Sequence, residues 1–221
     1  MTRALSAALT LVLLPAPVFA EHVVSVYGGY QFAQTGDMTG EDTDGTDLDF
    51  DVDWEGKSFD APPYWGVRYA YWRQDDWGGY VDFTHVKLYA DDGSMEDAGF
   101  DRLEFTDGLN VLTVGVQKRF PMQNGLVPYL GGGLGFTYPH VETRSPAASE
   151  DTFGYQFGGF AAEIRAGAAY AFNDRWQAFA EYEGNYAALD VDMDGGGSLE
   201  SDLFTHAINF GVNFVIPATW Y

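Results

Sequence analysis

Apolar and polar residues alternate, segment after segment, along most of this chain, and aromatic residues gather where the segments end. Over residues 110–120 one side is Leu112, Val114 and Val116, and the other is Thr113, Gly115, Gln117 and Arg119. The sequence offers the apolar side no second sheet or helix to pack on. Inside a bilayer every backbone N–H and C=O must be paired within the protein, which leaves helices and closed sheets as spanning structures. A closed sheet with an apolar exterior and a polar interior carries this pattern. The expected fold is therefore all-β: an eight-stranded antiparallel up-and-down transmembrane β-barrel, preceded by a cleaved signal peptide.

The strands are expected over 22–32, 63–73, 78–89, 110–120, 127–138, 155–172, 176–188 and 205–216. Connections alternate between long (33–62, 90–109, 139–154, 189–204) and short (74–77, 121–126, 173–175). Long outer loops against short inner turns give an outer-membrane barrel its orientation, and an even strand count puts both termini in the periplasm. That implies the outer membrane of a Gram-negative bacterium. Trp72, Trp77, Phe120, Tyr129, Phe172 and Trp176 fall near the short turns, and Tyr89, Tyr138, Tyr155 and Phe204 near the opposite ends, as interfacial belts.

Residues 1–20 have the form of a secretory leader. Arg3 is its basic start, Ala4–Leu14 its apolar run and Val18-Phe19-Ala20 its cleavage site. The barrel domain would then occupy 21–221. No later run of about 20 apolar residues could form a spanning helix. There is no cysteine, which excludes a disulfide framework and thiol chemistry. A formal charge of −22 argues against nucleic acid as a partner. Acid in loops reads as solvation, or as ligands for divalent cations that bridge anionic groups at a lipopolysaccharide surface.

The interior faces carry charge. Arg68, Arg119 and Arg165 are set to pair with Asp82, Glu163, Glu181 and Glu183, with Gly131, Gly133, Gly167 and Gly211 making room. Eight strands leave a bore that side chains fill. A structural polar plug is expected ahead of a conducting pore or an internal catalytic carboxylate pair.

Two groups of residues could bind ions. Asp190, Asp192, Asp194 and Glu200 begin like an EF-hand calcium loop, with Gly195 at its sixth position. Position twelve, however, is Ser201, so a flexible acidic loop competes with that reading. His85, His140 and His206 lie near outer strand ends, with Glu104, Asp107, Glu142 and Asp202 in neighbouring loops; imidazole with carboxylate can hold a transition metal. His85 and His206 share the outward phase of Phe83 and Ile208, and Lys87, on the same face, could meet a lipid phosphate. No Ser-His-Asp arrangement or nucleotide-binding glycine motif is present. Gly131-Gly132-Gly133 lies within a strand as packing glycine.

Several segments resemble a known group. These are Phe83-Thr84-His85-Val86-Lys87-Leu88-Tyr89-Ala90, Leu103-Glu104-Phe105-Thr106-Asp107-Gly108-Leu109-Asn110 and Tyr129-Leu130-Gly131-Gly132-Gly133-Leu134-Gly135. Trp54-Glu55-Gly56-Lys57-Ser58-Phe59, Asn173-Asp174-Arg175-Trp176 and Asp194-Gly195-Gly196-Gly197-Ser198-Leu199-Glu200 add to them. Together they are similar to small alphaproteobacterial barrels described as lipid A oxidases, within the wider OmpA-like and opacity-protein-like barrels. The resemblance implies oxygen-dependent oxidation of the proximal glucosamine of lipid A to aminogluconate, with lipid A or lipopolysaccharide as the partner. It carries no catalytic motif. Oxidation by dioxygen calls for a helper group; without a flavin-binding pattern, a divalent metal at the outer rim is the economical choice. His85, Glu104, Asp107 and His140 are then its candidate ligands, and Lys87 the holder of the lipid phosphate. The competing class is a non-enzymatic structural or surface-interaction barrel with acidic outer loops.

Overall fold

The computed structural model describes residues 20–217. The expected leader, save Ala20, lies outside them. Along the chain run β1 (Glu21–Ala33), β2 (Gly36–Glu41), β3 (Asp47–Val52), β4 (Trp54–Glu55), β5 (Trp65–Trp72), β6 (Trp77–His85) and β7 (Leu88–Ala90). The helix α1 (Asp92–Ala98) follows, then β8 (Arg102–Phe105), β9 (Val111–Arg119), β10 (Leu126–Thr137) and β11 (His140–Arg144). The last are β12 (Thr152–Tyr155), β13 (Gly159–Ala171), β14 (Trp176–Asp192) and β15 (Ser198–Pro217). Strands β1, β5, β6, β9, β10, β13, β14 and β15 pair antiparallel in that order, and β15 returns to β1. The barrel is closed, with eight strands.

Its exterior follows the expected phase. Trp65, Val67, Tyr69 and Tyr71 are exposed, while Gly66, Arg68 and Ala70 between them are buried. Trp72 and Tyr129, expected in an interfacial belt, instead point inward and help close the bore at the short-turn end.

The long connections are not loose. They form a second, five-stranded sheet, β12-β11-β8-β7-β4, which stacks above the barrel, while β2 and β3 extend the barrel wall beside β15. A continuous apolar core joins this cap to the upper barrel, with Met38, Val52, Leu88, Leu103, Phe105, Val141, Leu199 and Leu203 all buried. The cap explains the length of β15. Twenty residues at roughly 3.3 Å each span about 66 Å, far more than the roughly 25 Å apolar band of such barrels requires even when tilted.

Polarity inverts where the strands leave that band. Along β15 the outward side reads Phe210, Ile208, His206, Phe204 and then Asp202 and Glu200. The inward side reads Asn213, Asn209, Thr205 and then Leu203 and Leu199. The period of 2 persists, but lipid outside and polar side chains inside give way to water outside and an apolar core inside. Two expected strands also break. Residues 78–89 divide into β6 and β7, and residues 155–172 into β12 and β13. At the second break Gly159 has φ +109°, and a side chain there would meet Ala188 O at 2.1 Å.

Within the band the bore is filled. Arg68 donates through Nε to Asp82 Oδ2 (2.8 Å) and through Nη1 and Nη2 to both oxygens of Glu181 (3.0 and 2.7 Å). Arg165 donates to Asp82 Oδ2 (2.6 Å) and to Glu163. Tyr27 Oη donates to Asp82, Tyr129 Oη to Glu181, and Asn209 Nδ2 to Glu183. Arg119, expected among them, sits at the short-turn end and pairs with Glu21 and Asp76. A Cβ at Gly131, Gly133, Gly167 or Gly211 would stand 2.5 to 3.0 Å from a neighbouring side chain, so these glycines do make room for the network. With bore and cap both packed, planar-bilayer recordings of the folded barrel should show no steady single-channel conductance. A stable open level of about 100 pS or more, as aqueous channels of wider barrels would give, would contradict this packing.

Candidate functional site

The richest constellation of polar chemistry outside the bore lies where the cap meets the barrel wall. It is built on a tight turn, residues 106–110, between β8 and β9. Gly108 has φ +98° and Asn110 φ +50°. A Cβ at Gly108 would stand 2.3 Å from His85 Nδ1, so the turn accepts glycine alone there. The Asn110 amide nitrogen donates to the carbonyls of Asp107 (3.2 Å), Gly108 (3.1 Å) and Tyr138 (3.2 Å). That fixes the amide and turns Oδ1 toward His85 Nδ1, 3.0 Å away. Since Oδ1 can only accept, Nδ1 of His85 carries the proton. Backbone bonds from Tyr138 N to Asn110 O and from His140 N to Gly108 O, both 3.0 Å, lock the turn to the corner between β10 and β11.

This turn delivers Asp107 to His140 and Glu142. Ligand atoms of the three residues lie within 4.8 Å of one another. His140 and Glu142 are buried. His140 Nδ1 is 3.1 Å from Glu142 Oε1, which also accepts from Thr106 Oγ1 at 2.7 Å. The imidazole is held edge-on between the rings of Phe153 and Tyr155, at 4.5 and 4.6 Å. Glu104 faces Glu142 across β8 and β11, and Arg102 reaches both carboxylates at 3.5 Å. Burial first, and then the charge of Glu142, push the Glu104 carboxyl up. Two carboxylates and an imidazole, with a third carboxylate alongside, form a donor set suited to a borderline divalent metal.

Of the four metal candidates from the sequence, the structure brings Asp107 and His140 together, sets Glu104 beside them and keeps His85 apart. The imidazole of His85 supports the turn through Asn110. His206 is farther round the wall, stacked on Phe32 and bonded to Tyr182 Oη. Glu142, named from the sequence among the neighbouring acids but not among the four candidates, completes the group. The signal was available, because residues two apart on a strand share a face, and His140-Val141-Glu142 has that spacing.

Lys87 is fully buried. Its ammonium donates to the carbonyls of Lys57 (3.2 Å) and Asp60 (3.0 Å), and burial pushes it down. The nearby cation that reaches water is Lys57, which lies over the Tyr89 ring and pairs with Glu55. The calcium candidates belong to the β14–β15 hairpin. Asp190 stands opposite Glu200, Asp192 opposite Ser198, and their side chains face outward. Among the described residues they do not belong to either group whose ligand atoms converge; the second such group, Asp82, Glu163 and Glu183, lies in the bore with Arg165 already on it.

Asp37, Asp190, Glu200 and Asp202 line an open outer groove of about 580 Å³. On the neighbouring pair, β2 and β3, Asp37 opposes Asp51, and a hydrogen bond that Asp51 donates to this partner, with the partner's charge, pushes Asp51 up. A carboxyl raised on folding contributes stability that is full below its unfolded pKa and is lost as pH rises through the folded one. Amide protection factors in β2 and β3 should therefore rise on going from about pH 7 to about pH 4, and Asp51→Asn should remove the rise. Hydrogen exchange reads both. A rise that persists in the variant would contradict the shared proton.

The sequence matches the family model of the outer membrane protein beta-barrel domain over residues 6–215. Neisserial surface protein A is 16% identical, with a TM-score of 0.50 over 88% of this chain and 97% of that one. The outer membrane protein AlkL, determined in lipid bilayers, is also 16% identical, with a TM-score of 0.51 over 98% of this chain and 97% of that one. At such identities the likeness is one of fold. No curated protein matches the sequence. The closed barrel, its apolar outer wall and the match over nearly the whole length agree: the chain belongs to the outer-membrane-protein β-barrel family.

Proposed function

We propose that this barrel oxidises the proximal glucosamine of lipid A to aminogluconate with dioxygen, at the Asp107–His140–Glu142 cluster. The observation that carries the reading is the position of Asp107, which belongs to the cluster and also lines a groove on the membrane-facing wall. Both described chain ends lie at the short-turn end, where Glu21 pairs with Pro217. In the orientation proposed here they are periplasmic and the cap is outside. The cluster then stands at headgroup level of the outer leaflet, where lipopolysaccharide resides.

Asp107, His140 and Glu142 would hold a divalent metal, and Glu104 would add charge beside it. Bound there, such an ion would supply the redox and Lewis-acid chemistry that side chains lack. The residues themselves hold the site: Thr106 and His85–Asn110 orient the ligands, while Phe153 and Tyr155 keep water from the imidazole. The reaction balances as a two-electron oxidation. The lactol carbon loses its hydrogen and the hydroxyl its proton, dioxygen becomes hydrogen peroxide, and water opens the resulting lactone to the acid. The lipid gains one oxygen atom overall.

A second reading, a non-enzymatic surface barrel, draws on the outward acids at 37, 190, 200 and 202, whose chemistry suits cation-bridged contact with anionic lipid. One experiment separates the two: the refolded barrel under air with lipid A whose proximal glucosamine has a free anomeric hydroxyl, followed by mass spectrometry of the lipid. A gain of one oxygen, absent without dioxygen and abolished by chelator, supports the oxidase. An unchanged mass, with metals supplied and folding verified, would transfer the weight to the surface barrel.

A further inference from the structure

The wall beside the cluster holds a groove of about 530 Å³ that opens sideways, toward lipid. Two aromatic ledges flank it. On one side Trp65 packs on Phe83 (5.5 Å) and on His85 (6.0 Å, nearly parallel). On the other Tyr138 and Tyr155 stack at 6.0 Å with their planes only 4° apart. Trp65, Tyr138 and Tyr155 are 39%, 48% and 53% exposed, so each keeps a ring surface free for a ligand. Between the ledges lies Asp107, and Tyr155 joins it through a 3.4 Å bond from Oη to the Asp107 carbonyl.

A wall that met hydrocarbon alone would have no use for a carboxylate between aromatic ledges. Ring faces that cover C–H surface, with a carboxylate to accept from hydroxyls, are the chemistry of a pyranose site. What lies below the groove fits the other half of a glycolipid. Val81, Val114 and Leu134 are cross-strand neighbours on β6, β9 and β10, all exposed, and form an apolar row across the wall. The groove is continuous with this lipid-facing surface, so its occupant arrives within the membrane.

We propose that the groove seats the glucosamine end of an outer-leaflet glycolipid, with the sugar between Trp65 and Tyr155 and the acyl chains against Val81, Val114 and Leu134. The proposal rests on the function proposed above for its choice of glycolipid, but concerns binding alone. It brings the sugar against Asp107 and so beside the cluster, from the side of the barrel.

The test is native mass spectrometry of the detergent-solubilised barrel with chelator present, offered equal amounts of lipid A and phosphatidylglycerol. The wild type should retain lipid A in preference. Trp65→Ala and Tyr155→Ala should each lower the lipid A adduct about tenfold or more and leave the phosphatidylglycerol adduct unchanged. Trp176→Ala, at the opposite rim, should change neither. Heat-shift gels check folding, and Asp107→Asn, which keeps the shape of the site, serves where an aromatic variant fails to fold; it should lower lipid A retention in the same selective way. Equal retention of lipid A by the variants, or parallel loss of both lipids, would overturn the proposal. Selective binding without oxidation leaves the groove standing and removes the enzyme reading; oxidation unaffected by Trp65→Ala and Tyr155→Ala does the reverse.

Discussion

Replacing Arg68 by methionine is expected to cost about 3–5 kcal/mol of folding stability, the range for removing one partner from a buried ion pair. The guanidinium touches Asp82 and both oxygens of Glu181 and lies 3.6 Å from Glu183, with every one of these groups almost wholly buried. Without it, Arg165 alone would face Asp82, Glu163, Glu181 and Glu183, and Glu181 would keep only Tyr129 and a long contact to Asn209. Glu181→Gln should cost less, since an amide still accepts from Arg68 and Tyr129. The double variant should fall short of the summed losses by about 1–3 kcal/mol, because the two residues share one network. Urea unfolding in micelles, read by heat-shifted migration, measures all three. An Arg68→Met barrel within about 1 kcal/mol of the wild type would mean that the bore is hydrated and its charges individually solvated.

That network also marks how far the sequence speaks. Within the membrane band, inside and outside are separated by the simplest chemical difference available, so Arg68 against Val67 or Glu181 against Ala180 declares its side at once. The same rule misleads at both rims. Trp72 and Tyr129 are aromatic and near turns, as belt residues are, yet they occupy inward positions and plug the bore; parity outranks residue type there. Above the band the alternation continues with its meaning reversed. Leu189, Val191, Leu199 and Leu203 look like further lipid-facing residues until the cap that covers them is known, and Asp190 and Glu200 look like ligands in a loop although they are the wet face of a hairpin. The cap sheet itself is assembled from strands of two to five residues in three separate connections. No short window contains its hydrophobic pattern, because each strand supplies only one or two residues to a shared core.

The cluster was half legible for a related reason. Residue type could nominate His85, Glu104, Asp107 and His140, but convergence depends on a turn with two successive departures into positive φ, at Gly108 and Asn110. That turn carries Asp107 toward His140 and turns His85 to face Asn110 instead.

The division of labour between the two histidines yields the sharpest test of the site. His140→Ala is expected to weaken divalent-metal binding by more than about 100-fold and to abolish lipid oxidation, since it removes a ligand; Glu142→Gln should approach the same loss. His85→Ala removes only the support behind Asn110 and should cost about 10-fold in affinity, in the range of groups that orient ligands without touching the metal. Its lost contact is with a carboxamide, so His85→Asn, whose amide nitrogen takes the place of Nδ1 and can donate to Asn110 Oδ1, should restore part of the affinity, whereas His140→Asn should not. Isothermal titration with manganese, zinc or cobalt on the refolded barrel reads the series independently of turnover. Equal losses at the two histidines would place His85 among the ligands and require a different conformation of the 106–110 turn. No loss at His140 would dismiss the cluster as a metal site and leave Asp107, His140 and Glu142 as a hydrogen-bonded brace between cap and barrel.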